Sequence, residues 1–310
     1  MRLLISFSLL LIVAVGCVSQ NSKSTEPQGE GTRRLELPRA SLRDITSREE
    51  LEDYIARYWD NFDFADAESI AEYDLTELYS NFAQYVLIIP QEQADSLLRS
   101  LIHRAEQSRE ALDLFADMAH EVLYDPNSPA RNDEYYIPVL ETLIESELLD
   151  EYDKIIPQTE LHIALQNRIG HPANDFTLTL ADGSHRDLYD IKADFTILLF
   201  NNPGCEMCRE IIDGIAQSEL VNYLRTVLKI EIVALYPDED ITAWRDYLST
   251  MPQGWICGYD KELRLTSERL YDLKAIPALY LLDCDKRVII KDGASVAQLE
   301  QALYTLTQPR

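Results

Sequence analysis

The run Phe195-Thr196-Ile197-Leu198-Leu199-Phe200-Asn201-Asn202-Pro203-Gly204-Cys205-Glu206-Met207-Cys208-Arg209-Glu210-Ile211-Ile212 changes character twice. Its first six residues are almost wholly apolar, as expected of a short strand buried on both faces. A turn cluster, Asn201 to Gly204, follows. Beyond Cys205 the apolar positions take helical spacing. A buried strand therefore delivers two cysteines, three residues apart, to the first turn of a helix. Upstream, Phe176-Thr177-Leu178-Thr179-Leu180 alternates, Asp182-Gly183 makes a turn, and a second short strand runs towards Leu188. Downstream, the pattern predicts a strand over 230–236, helices near 240–250 and 261–273, and a strand over 275–283 with Pro277 close to its start. A partner strand over 287–291 and a helix near 295–306 complete the series. Strands alternating with helices predict an α/β sheet whose ligands gather at strand C-terminal ends.

Physical chemistry assigns the cysteines different tasks. At a helix N-terminus, Cys205 meets unpaired N–H groups and the positive end of the helix dipole, and both favour thiolate. Cys205 is thus the expected nucleophile towards a disulfide. Cys208, one turn on and less exposed, is placed to resolve the mixed disulfide. Glu206 adds negative charge beside the sulfur, which favours the oxidised pair and a more reducing couple. Zinc ligation would need a second Cys/His pair at matching spacing, and the sequence has none. A structural disulfide, or a site without turnover, is the plainer alternative.

Over about 168–308 the chain resembles the thioredoxin superfamily, specifically its extracytoplasmic TlpA-like branch. The marks fall in family order: Gly170…Ala173…Asp175-Phe176, the Asp182-Gly183 hairpin, Cys205-x-x-Cys208 after a buried strand, Ile276-Pro277 before another, and Leu281-Leu282-Asp283…Arg287-Val288. The resemblance implies a cis proline at Pro277 packed beside the dithiol, with Ile276 offering backbone hydrogen bonds to a substrate peptide. It implies no cofactor beyond the cysteine pair, electrons coming from a membrane-linked thiol donor protein, and dithiol or disulfide proteins as clients. Three departures stand out. Gly204 replaces the usual tryptophan, and Leu199 falls where thioredoxin keeps a buried carboxylate. Glu210 lies one residue out of register with the helix glutamate of TlpA-like proteins, where it would serve proton transfer. Asn202 stands where a peroxiredoxin would carry threonine.

The remainder sets the context. Met1-Arg2, an apolar run over 3–15 and Ala14-Val15-Gly16-Cys17 resemble a lipoprotein signal, residues 1–17, with Cys17 as the lipidated residue. At about 1.5 Å per residue the run would span only ~20 Å, too short to cross a bilayer. Val18-Ser19 lacks the aspartate of inner-membrane retention. The expected location is therefore the cell envelope, anchored by lipid to the outer membrane and facing the periplasm. Residues 18–35 read as a flexible tether. A formal charge of −26 excludes a nucleic-acid partner and disfavours an anionic lipid surface.

From Ser47 the pattern is helical, with Leu51, Tyr54, Ile55, Tyr58, Trp59 and Phe62 at 3- and 4-residue spacing. Further amphipathic stretches run over about 74–89, 91–106, 108–124, 132–149 and 153–168, broken at Pro90 and at Asp125-Pro126-Asn127-Ser128-Pro129. The expectation is an acidic all-α domain over 36–165, then the thioredoxin-like domain over 168–310. His103 and His120 belong to no metal spacing, and tyrosines 54, 58, 73, 79 and 85 read as core with the hydroxyl at its edge. Together these features resemble a type of Bacteroidetes lipoprotein with a helical domain ahead of a thioredoxin-like one. Two functions follow: an extracytoplasmic thiol–disulfide oxidoreductase, reductase or isomerase rather than primary oxidant, or an envelope binding and assembly protein whose dithiol domain is a scaffold or redox-sensitive clamp. Cys257 and Cys284 are expected to stay unpaired.

Overall fold

The computed structural model describes residues 33–38, 45–293 and 295–308. The signal, Cys17 and most of the tether lie outside them.

Seven helices build the first half: α1 (Arg48–Arg57), α2 (Ala67–Ile70), α3 (Leu75–Ile88), α4 (Gln91–Ala105), α5 (Arg109–Ala119), α6 (Asp133–Glu145) and α7 (Ile155–Ala164). Their starts are chemically marked. Ser47, Asp66, Asp74, Ser108 and Asn132 each accept a hydrogen bond from a backbone N–H of the first turn. The α5 helix continues into a single π-helical turn, His120–Tyr124. The core is aromatic. Trp59 packs edge-on against Phe115 at 4.9 Å between ring centres, and Phe62 stacks on Tyr73 at 5.1 Å. Tyr54, Tyr58, Tyr73 and Tyr85 are buried in this core, and the Tyr58 hydroxyl donates to Asn81 O at 3.0 Å. The expected tether ends earlier than residue 35. Arg33 bridges to Tyr73 and Leu35 is buried, because that leucine completes the apolar layer.

The second half is a seven-stranded mixed sheet in the order β2-β1-β5-β4-β3-β6-β7. Its strands are β1 (Thr177–Leu180), β2 (His185–Asp187), β3 (Phe195–Phe200), β4 (Ile230–Tyr236), β5 (Ile256–Tyr259), β6 (Ala278–Leu282) and β7 (Val288–Gly293). Helices α8 (Glu206–Gln217), α9 (Glu219–Val227), α10 (Ile241–Tyr247), α11 (Arg264–Ser267) and α12 (Val296–Thr307) flank it. Along β3 the side chains alternate between two cores. Ile197 and Leu199 pack with Ile212 and Ile215 of α8 and Leu299 of α12. Leu198 and Phe200 pack with Phe176, Tyr271 and Tyr280 on the opposite face. This is the thioredoxin-like fold that the resemblance implied, preceded by an all-α region.

The largest difference from expectation lies in the second half. The helix expected near 261–273 contracts to α11, because Leu263 and Arg269 sit at φ 54° and 51°, left-handed values that a helix cannot continue through. The Asp260 carboxylate fixes the bend by accepting from Leu265 N at 2.7 Å.

The halves meet through polar contacts. Lys291 Nζ pairs with Asp133 at 2.7 Å and donates to Ala164 O and Gln166 O. Arg131 pairs with Asp292 at 2.8 Å, and Arg168 with Glu134. Lys274 Nζ lies 3.4 Å from the centre of the Tyr124 ring.

Candidate active site

The buried strand β3 ends at Phe200, and Asn201 secures its exit by donating backbone N–H to Leu235 O at 3.0 Å. Gly204 then takes φ +78°, a conformation open to glycine but strained for a tryptophan, which leaves the space beside the first cysteine unfilled. Cys205 is the N-cap of α8. Its sulfur accepts from Cys208 N at 3.1 Å, so the helix terminus directs an N–H at the atom that would carry thiolate charge. Cys208 is fully buried, Cys205 is partly exposed, and the two form a disulfide with their Cα atoms 5.2 Å apart. Cys205 Sγ also lies 3.8 Å from Ile276 O, and the Ile276–Pro277 peptide is cis. Ile276, distant in sequence, thus stands against the sulfur, joined to Pro277 by that cis peptide.

Other expected residues fall differently. Glu206 is exposed, without an ion pair, and lines the groove beside Cys205. Glu210 is exposed and outside that groove. Leu199 is fully buried and pairs in the sheet with Ala234 and Leu279, so no ionisable group replaces the missing carboxylate at that position. Cys257 and Cys284 are free thiols; burial pushes the Cys257 thiol up to about 11.

The groove itself holds about 370 Å³ and is lined by Gly204, Cys205, Glu206, Arg209, Tyr247 and Thr250, among others. Arg209, Tyr247 and Thr250 were not singled out from the sequence. Arg209 directly follows Cys208 and could have been noticed from its position; among the described residues it is the one cation that lines the groove. Tyr247 and Thr250 carry no local signal, since only the fold brings the end of α10 and the turn after it to the groove.

The pattern of thioredoxin-like proteins matches residues 193–288, and a domain of unknown function (DUF5106) matches residues 18–167. A thioredoxin-like protein from Bacteroides caccae, solved as a crystal structure, is 38% identical to this chain; the match covers 88% of this chain and 99% of that one, with a TM-score of 0.81. The chain belongs to the thioredoxin-like family. The C-terminal domain of an uncharacterized protein from Bacteroides fragilis is 42% identical over 44% of this chain and 98% of that one, with a TM-score of 0.43. A probable nucleoredoxin 1 of Arabidopsis thaliana is 26% identical over 132 residues, 43% of this chain but only 22% of that protein's length. This thioredoxin-like chain thus shares both its helical and its sheet-bearing halves with the Bacteroides caccae protein.

Proposed function

We propose that this thioredoxin-like protein is a thiol–disulfide oxidoreductase of the cell envelope, acting as a reductase or isomerase. The observation that carries the reading is the position of Cys205: N-cap of α8, partly exposed, with Ile276 O at 3.8 Å and the buried Cys208 behind it. In the reduced protein, Cys205 thiolate attacks one sulfur of a client disulfide. A mixed disulfide forms and the other client sulfur leaves as thiolate. Cys208 thiolate then attacks Cys205 Sγ. The second client thiol departs and the Cys205–Cys208 disulfide closes, two electrons having passed to the client. Ile276 and Pro277 would hold the client backbone in extended form beside the sulfur. A membrane-linked dithiol donor would return the two electrons. Lipidation at Cys17 would keep the protein on the outer membrane, facing the periplasm and that donor; among the described residues no helix is long and apolar enough to cross a bilayer.

Replacing Cys208 by Ala should trap client proteins on Cys205 as mixed disulfides, visible as adducts on non-reducing gels and lost with dithiothreitol. Exchange by Cys205→Ser should fall to background. Absence of adducts, or a Cys205–Cys208 disulfide that resists dithiothreitol, would leave the sheet domain as a scaffold for an assembly protein.

A further inference from the structure

The helical half contains a cavity that the dithiol chemistry does not use. About 440 Å³ opens among α5, the π-helical turn, α6 and α7. That is the size of a small-molecule site. Leu112, Ala116, Leu143, Leu149 and Ile156 supply an apolar wall. At the floor stands a carboxylate. Glu160 is 7% exposed, accepts from the Tyr136 hydroxyl at 2.6 Å, and lies 3.2 Å from His120 Nδ1.

The charges around this floor are unbalanced. Arg109 is already held by two carboxylates, Asp113 at 2.7 Å and Asp153 at 2.8 Å. Asp117 lines the solvent-exposed edge of the same wall, and among the described residues its side chain has no hydrogen bond or ion pair; partial burial, then Asp113, pushes its carboxyl above the ordinary range. Glu160 and Asp117 therefore face the cavity with only the His120 imidazole between them and neutrality. At the mouth, Tyr152 and Ile156 are 83% and 64% exposed, a large apolar surface on so acidic a domain.

We propose that this cavity binds an organic cation, an ammonium or guanidinium group carried on a short apolar body. The cation would give Asp117 the partner it lacks and share the Glu160 charge, while the body covers the leucine wall. An anionic ligand would meet four lining carboxylates set against one guanidinium, and a neutral one would leave that excess of negative charge unanswered. The same chemistry is offered by a free aliphatic amine and by a lysyl side chain.

The test titrates the full chain with n-hexylammonium, with n-hexanol, and with an end-blocked Leu-Lys-Leu peptide, using calorimetry. Hexylammonium should saturate one site per chain and hexanol should bind at least tenfold more weakly. Asp117→Asn and Glu160→Gln should each weaken hexylammonium at least tenfold. Asp117→Asn leaves no buried bond broken, so it tests the site even if Glu160→Gln loosens the fold. Whichever of the amine and the peptide binds more tightly identifies the source of the cation. Equal binding of hexanol, an affinity unmoved by Asp117→Asn, or no saturable binding of either cation would overturn the proposal.

Discussion

The two candidate sites sit in the same chain and are built in opposite ways. The dithiol occupies one helical turn, Cys205 to Cys208, and the group nearest its sulfur from elsewhere in the sequence is Ile276 O, from one loop. The helical cavity draws its polar groups from residues 117, 120, 136 and 160, on three helices and a π turn. A covalent site needs two atoms at fixed separation, and local sequence can fix that. A non-covalent pocket needs a hole of the right size, which only tertiary packing makes. The cores divide likewise: the helical half has its own cluster, the sheet has three others, and polar contacts join the halves.

The largest expected effect tests that separation of cores. Trp59 is 2% exposed and packs on Phe62 and Phe115. Trp59→Ala should cost about 3–5 kcal/mol, the usual price of emptying a large aromatic site. Calorimetry should show the helical transition moving down while the sheet transition stays. Phe200→Ala, in the other core, should do the reverse. If both transitions move together in either variant, the halves fold as one cooperative unit. Trp59→Phe should cost far less, since the buried indole N–H has no hydrogen-bond partner to lose.

How much of this was legible beforehand follows from the range of each interaction. Capped, amphipathic helices such as α3 and α5 could be read because their periodicity and caps are local. So could β3 and the cysteines, whose neighbours in sequence are their neighbours in space. The helix expected near 261–273 failed because its breaks are at Leu263 and Arg269, residues that seldom take positive φ and give no warning in sequence. His120 belongs to no metal spacing in the sequence; in the fold it meets Glu160, which lies 40 positions on, so no spacing rule could pair them. The junction was illegible for the same reason: Lys291 and Asp133 come from different halves.

The junction provides the next test, of intermediate size. Asp292 is largely buried, its carboxyl pushed up to about 6 by burial despite the Arg131 guanidinium at 2.8 Å. Removing the guanidinium in Arg131→Leu should cost about 2–3 kcal/mol at neutral pH, somewhat less than for a fully buried pair. The pH dependence has a definite sign. A carboxyl whose folded pKa lies above its unfolded value of about 3.9 contributes stability that is complete below that value and lost as pH rises through about 6. Thermal melts of the wild-type chain minus those of Asp292→Asn should therefore fall between pH 4 and 6, and in Arg131→Leu the loss should extend to higher pH. A difference that rises over this window would show that Asp292 is held as a paired carboxylate, and that the halves are locked by charge.

The smallest effect concerns the dithiol and asks whether its local environment tunes it. Glu206 is the first residue of α8, exposed and without an ion pair, next to the sulfur that must carry negative charge when reduced. A single charge at a helix end is worth about 0.3–1 kcal/mol when exposed. For a two-electron couple about 30 mV corresponds to 1.4 kcal/mol, so Glu206→Gln should raise the potential by roughly 6–20 mV. The shift should shrink at high salt, because an exposed charge is screened. Equilibration of both proteins against the same glutathione buffer, at low and at high ionic strength, measures it. A salt-independent shift would mean that Glu206 acts by altering the helix terminus rather than through its charge. No shift would leave the potential to the N–H groups of α8 and to Ile276, groups that the sequence places beside the sulfur only by way of the fold.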